Sequence, residues 1–112
     1  MSLQRFLDDA RNRIAGGGYQ TPHRLQSNGS LAAALQRPDA IIAELKPRSP
    51  SEGRILNTQA DKVLDDYVRG GAAALSILTD VDHFDGSLDL LAQANATGLP
   101  TMMKDFILDE RQ

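Results

Sequence analysis

The strongest constraint on the fold is the spacing of three short apolar runs, at residues 40–46, 72–79 and 101–108. Ala40-Ile41-Ile42-Ala43-Glu44-Leu45-Lys46 is nearly continuously apolar until two charges close it, as in a strand covered on both faces. Pro47 and Pro50 end it. Ala72 to Thr79 has the same character, and Thr101 to Leu108 supplies a third run. Strand starts near 41, 73 and 101 leave room for a helix and two loops each time, the length that a right-handed crossover between parallel strands requires. The first intervening helix is predicted from about Thr58 to Arg69, with Ala60, Val63, Leu64, Tyr67 and Val68 on one stripe and Gly70-Gly71 beyond its end. Ser87 caps the second, which carries Leu88, Leu91 and Ala92 and stops at Gly98. The pattern is βαβαβ, hence the α/β class with a parallel sheet.

Helices are predicted ahead of this unit. Leu3, Phe6, Leu7, Ala10 and Ile14 recur at helical spacing after Ser2 as N-cap, and Gly16-Gly17-Gly18 stops that helix. A loop runs to Gly29, and Ser30 caps a short helix over Leu31–Gln36 that Pro38 closes. The length of 112 residues allows one domain at most. Without Cys there is no disulfide framework, thiolate metal site or cysteine nucleophile. Twelve Lys and Arg against fifteen Asp and Glu give no basic footprint for nucleic acid. No apolar run approaches the roughly 18 residues of a membrane span, and the N-terminus lacks the apolar core of a secretory signal. The expectation is a soluble, cytoplasmic domain without nucleic-acid or membrane partners.

Residues with chemistry gather at strand ends. A period of two places Ile42, Glu44 and Lys46 on one face of the first strand, and Met102, Lys104 and Phe106 on one face of the third. Two strands therefore each direct a lysine to one side near the carboxyl end, where parallel α/β folds place their ligand crevice. Two lysines there suit an anionic substrate, and a desolvated lysine can donate a proton. The same spacing also suits a structural Glu44–Lys46 ion pair at a sheet edge. Asp105 is expected on the opposite face, as a helix-layer or loop contact. His23 and His83 fall in predicted loops and read as solvated surface residues rather than metal ligands. Asp61, Asp65 and Asp66 read as the solvated face of a helix.

Glu44-Leu45-Lys46-Pro47-Arg48-Ser49-Pro50-Ser51-Glu52-Gly53 resembles the E-[IL]-K-x-x-S-P-S-x-G signature of the indole-3-glycerol-phosphate synthase family. Gly70-Gly71-Ala72 with Leu75-Ser76-Ile77-Leu78-Thr79-Asp80 is similar to that family's second strand. Phe84-Asp85-Gly86-Ser87-Leu88 is similar to its F-x-G-S block. Leu99-Pro100 followed by Lys104-Asp105-Phe106-Ile107-Leu108-Asp109 and Gln112 is similar to its third strand. The resemblance extends over essentially the whole chain, with Pro47, Glu52 and Met103 standing where the family often has basic residues.

The resemblance implies the N-terminal part of a (β/α)8 TIM barrel, with a helical extension over residues 1–39 and the first three strands over 40–112. It implies a carbon-carbon lyase of tryptophan biosynthesis that closes the pyrrole ring of 1-(2-carboxyphenylamino)-1-deoxyribulose 5-phosphate, losing CO2 and water without metal or organic cofactor. By motif, Lys104 would be the general acid. Lys46 would pair with the substrate carboxylate and assist ring closure or dehydration, and Glu44 would hold Lys46 or a substrate hydroxyl. Phe84 and Phe106 would form the aromatic wall, though an aromatic in a small α/β protein also suits the core, and Ser49 would reach the phosphate. A barrel of this class takes about 250 residues. Its remaining carboxylate base and glycine-rich phosphate cradle would lie beyond Gln112. The expectation is therefore an incomplete barrel without independent turnover: a truncated sequence, an incomplete gene, or one piece of a split barrel completed by a second fragment. A non-catalytic half-barrel module that associates through its open sheet edge is the alternative.

Overall fold

The computed structural model describes residues 2–22 and 24–112. Three parallel strands form where the apolar runs predict them: β1 at Ile42–Leu45, and two more named below in chain order. After β1, a small antiparallel hairpin pairs β2 (Arg48–Ser49) with β3 (Gly53–Arg54), an element the prolines at 47 and 50 did not announce. The helices that fill the connections and the N-terminus are α1 (Leu3–Ala15), α2 (Leu31–Ala34), α3 (Ala60–Arg69), α4 (Val81–Phe84) and α5 (Leu88–Asn95). Strands β4 (Ala74–Leu78) and β5 (Thr101–Lys104) complete the sheet in the order β1-β4-β5.

Register follows the predicted alternation. Leu45 lies opposite Ile77, which lies opposite Met103; Glu44 lies opposite Ser76, which lies opposite Met102. One face carries Leu45, Leu75 and Ile77 into a core completed by Leu64 of α3 and by Leu91 and Ala94 of α5. The other face carries Glu44, Ser76, Met102 and Lys104. All five residues of β4 are buried because it is flanked by a strand on each side. That is why its sequence reads as an unbroken apolar run relieved only by Ser76.

Local chemistry sets the boundaries. Ser30 and Ser87 cap α2 and α5 as the sequence predicts, accepting from the backbone N–H of Ala33 and of Leu90 at 3.1 Å each. Asp80 does the same for the unpredicted α4, accepting from the His83 N–H at 2.8 Å. Gly86 is required sterically, since a Cβ there would lie 2.1 Å from the Leu78 carbonyl oxygen. The third strand stops at Lys104, four residues short of its predicted end. The reason is Asp105, whose side chain is fully buried. It accepts from Thr79 Oγ1 (2.8 Å), Tyr19 Oη (2.9 Å), Arg13 Nη2 (3.1 Å) and the Phe106 N–H (2.7 Å). The chain therefore turns to satisfy a carboxylate instead of continuing the ladder. Asp105 does lie on the face opposite Lys104, as the alternation predicts.

Arg13 gathers these groups. Its guanidinium meets Asp80 Oδ2 (3.2 Å), Asp105 Oδ1 and the more exposed Asp82, while Nε donates to Tyr19 Oη at 3.2 Å. Burial opposes the charge on Arg13, but the hydrogen bonds to Tyr19 and Asp82 and the charge of Asp80 more than offset it and raise its pKa. The arginine thus fastens α1 to the ends of β4 and β5. Removing one partner of a buried charge cluster leaves the others uncompensated, typically at about 3–5 kcal/mol. Arg13→Met is expected to lower the urea-unfolding free energy by that order. Arg5→Met, which breaks only the exposed Arg5–Asp9 pair, should change it by at most about 1 kcal/mol. Equal effects of the two substitutions would show that the cluster does not anchor the helix.

Candidate active site at the carboxyl ends of the strands

Glu44 sits on the face of β1 opposite the core, and Tyr67 of α3 steadies its backbone by donating its hydroxyl to the Glu44 carbonyl oxygen at 2.8 Å. Its carboxylate collects three donors, two from the ends of β1 and β5 and one from the middle of β4. Lys46 Nζ lies 3.3 Å from Oε1, Lys104 Nζ lies 3.0 Å from Oε2, and Ser76 Oγ donates to Oε2 at 2.9 Å. Lys46 and Lys104 are thus on one side of the sheet, as the period of two predicts, and one carboxylate spaces them. The ion pair foreseen between Glu44 and Lys46 exists, and it extends to a second strand. Two ammonium groups against one carboxylate leave a local excess of positive charge at the strand ends, suited to an anionic ligand.

Partial burial pushes the Glu44 carboxyl up. The hydrogen bonds from Lys104 and Ser76, the charge of Lys104 and the hydrogen bond from Lys46 outweigh it and hold the group below its usual range. The lysine side chains remain 33% (Lys46) and 50% (Lys104) exposed.

Phe84, at the end of α4, and Phe106, just after β5, both converge on Phe6 of α1. Phe6 stacks on Phe106 (centroids 4.8 Å apart, planes 12° apart) and lies 6.3 Å from Phe84. All three are half-buried. Helical spacing alone marks Phe6 only as a residue of the α1 apolar stripe. The missed signal is its place on a single face, Phe6, Asp9, Ala10 and Arg13, at spacings of three, four and seven.

His83 corrects the prediction of a solvated histidine. Its side chain is 8% exposed, and Nε2 lies 2.8 Å from Asp9 Oδ2. The imidazole also meets Phe6 edge-on, with centroids 4.6 Å apart. The hydrogen bond from His83 is the main reason the Asp9 carboxyl titrates below its usual range. The cause of the misreading is α4, which turns the residue after β4 toward α1. His23 lies outside the described residues.

Ser49 is buried in the β2–β3 hairpin, where its hydroxyl accepts the Glu52 N–H at 3.1 Å. It lines a small pocket with Arg48, Pro50, Gly53, Asp82 and His83, and makes no hydrogen bond to Glu44, Lys46 or Lys104. Among the described residues no group of three or more His, Asp or Glu side chains could hold a metal ion. A groove of about 430 Å3 lies in the helix layer between α3 and α5, lined by Leu64, Val68 and Ala96, and contains none of these residues.

Because the Glu44 pKa is depressed, its ion pairs are fully formed above the usual carboxyl pKa and are lost as pH falls through the folded value. Carboxyl 13C titration is expected to place the Glu44 midpoint below 4.5, its ordinary value. Lys104→Met should raise that midpoint more than Lys46→Met, since the Lys104 contact is shorter and acts on the oxygen shared with Ser76. The reverse order would contradict this geometry.

Comparison with known proteins places the chain. The family model described as "Indole-3-glycerol phosphate synthase" matches residues 7–112. A curated indole-3-glycerol phosphate synthase of Koribacter versatilis is 39% identical over 126 residues, covering 99% of this chain and 48% of the relative. That of Haloarcula marismortui is 41% identical over 115 residues, covering 99% and 42%. That of Methanopyrus kandleri is 42% identical over 115 residues, covering 98% and 45%. The chain thus spans about half the length of the curated relatives it matches. With the matched region running through both lysine-bearing strands, the chain belongs to the indole-3-glycerol phosphate synthase family.

Proposed function

We propose that this chain provides the first three strands of a (β/α)8 barrel and, with them, the acid side of an indole-3-glycerol phosphate synthase site. The observation that carries this reading is the carboxylate of Glu44 bound by Lys46 and Lys104 from two strands, at the end of a parallel sheet where such barrels do their chemistry. The substrate is an anionic arylamino sugar phosphate. Its carboxylate pairs with Lys46. A carbon–carbon bond forms between the carboxylate-bearing ring carbon and the sugar carbonyl carbon, CO2 leaves as the ring regains aromaticity, and the remaining hydroxyl departs as water. Lys104 is the general acid that protonates the developing or departing oxygen, and Glu44 holds the two ammonium groups at their stations. Phe6, Phe84 and Phe106 offer a flat apolar surface to the aromatic ring, and Ser49 is assigned to the phosphate. No metal or organic cofactor enters these steps.

Residues 1–39 then form an extension whose first helix closes one side of the mouth, and residues 40–112 form the strand unit. Lysines exposed by a third to a half become effective acids once the rest of a barrel covers them and removes water. The remaining strands are assigned to further barrel sequence, in the same polypeptide or in a second one, and the compartment is the cytoplasm. Edge-on association without catalysis is disfavoured by a complete lysine–carboxylate–lysine constellation, which such a module would not need.

The test is indole-3-glycerol phosphate formation, read by fluorescence. The chain is expected to be silent alone and active when combined with the remaining strands of a relative. Lys104→Ala should then cut the rate by about 10²–10⁴-fold, the usual worth of a positioned acid. Phe6→Ala should raise KM more than it lowers kcat. Turnover by the 112-residue chain alone, or an unaffected rate in Lys104→Ala, would overturn the assignment.

A further inference from the structure

Ser76 is the one hydroxyl in the run Ala74-Leu75-Ser76-Ile77-Leu78, at the middle of the central strand, and it is 2% exposed. A hydroxyl withdrawn from water needs a hydrogen bond, and any small apolar residue would fill this place without one. The partner is Glu44. Since a carboxylate only accepts, Ser76 Oγ must donate to Oε2, at 2.9 Å, across a register that sets the two residues directly opposite. Oε2 thereby accepts from Ser76 and Lys104, while Oε1 faces Lys46. Lysine ammonium groups ride on long flexible stems, whereas the serine hydroxyl is fixed to a buried strand. Of the three donors, only Ser76 can hold the carboxylate plane at a set angle.

We infer that Ser76 is a positioning residue, whose hydroxyl fixes the Glu44 carboxylate and so decides which oxygen each lysine engages. The groups facing that carboxylate are Lys46 just after β1, Ser76 on β4 and Lys104 on β5, and Tyr67 of α3 binds the Glu44 backbone. The inference rests on the proposed function only for its bearing on turnover, because its own readout needs no substrate.

The experiment is NMR titration of the whole chain, following the Glu44 carboxyl carbon and the two lysine Nζ resonances. Ser76→Ala is expected to raise the Glu44 midpoint by about half a pH unit, the effect of losing a hydrogen bond to the charged form. It should also bring the Lys46 and Lys104 resonances closer together. In a Glu44→Gln background the same substitution should leave both lysines unmoved. Circular dichroism verifies the fold. If Ser76→Ala does not fold, Ser76→Cys, a weaker donor of similar size, should show a smaller shift in the same direction. An unchanged Glu44 midpoint in a folded variant, or lysine shifts that persist with Gln at position 44, would overturn the inference. Absence of turnover in the complemented protein would instead count against the proposed reaction and leave this result untouched.

Discussion

The guanidinium of Arg13, set against two buried carboxylates, makes the interaction on which the arrangement depends. It joins a helix near the N-terminus to Asp80 after β4 and to Asp105 after β5, two carboxylates with no exposed surface. Charges taken out of water are tolerated only where each finds its counterpart and its remaining hydrogen bonds. Here Thr79, Tyr19 and two backbone N–H groups supply them. The cluster fixes where β5 ends, turns the chain after β4 into a short helix, and brings Phe6 over Phe106. Three segments distant in sequence are thereby held together at one end of the sheet.

On the other side of the same sheet the logic is also electrostatic, but looser. Glu44, Lys46 and Lys104 stay partly in water, so their pairs add little to stability. A paired charge that remains accessible can instead exchange its partner for an anionic ligand at small cost. Arg13 and Glu44 thus divide the labour between holding the strand ends together and presenting charge beyond them.

The strands, their parallel order and the face shared by Glu44 and Lys104 were legible in the sequence, because buried strands and helical crossovers leave periodic apolar patterns. The serine caps at Ser30 and Ser87 were legible for the same local reason. The end of β5 was not, since Ile107 and Leu108 continue an apolar pattern that only the long-range demands of Asp105 interrupt. His83 was misread because its partners, Asp9 and Phe6, lie more than seventy positions away. Phe6 shares a helix face with Asp9, Ala10 and Arg13, but the aromatics it meets, Phe84 and Phe106, lie far along the chain and leave no local mark. The candidate lysines and Glu44 were found by alternation. Ser76, a small polar residue inside an apolar run, carried a signal that alternation alone does not interpret.

One carboxylate couples two lysines across β1 and β5. The direct measurement follows the Nζ resonances of Lys46 and Lys104 in the wild-type chain while pH is lowered through the Glu44 titration. Both resonances are expected to move together, with the midpoint of the Glu44 carboxyl and below its ordinary 4.5. A Lys104 resonance that ignores this titration, or one that moves without Lys46, would contradict it.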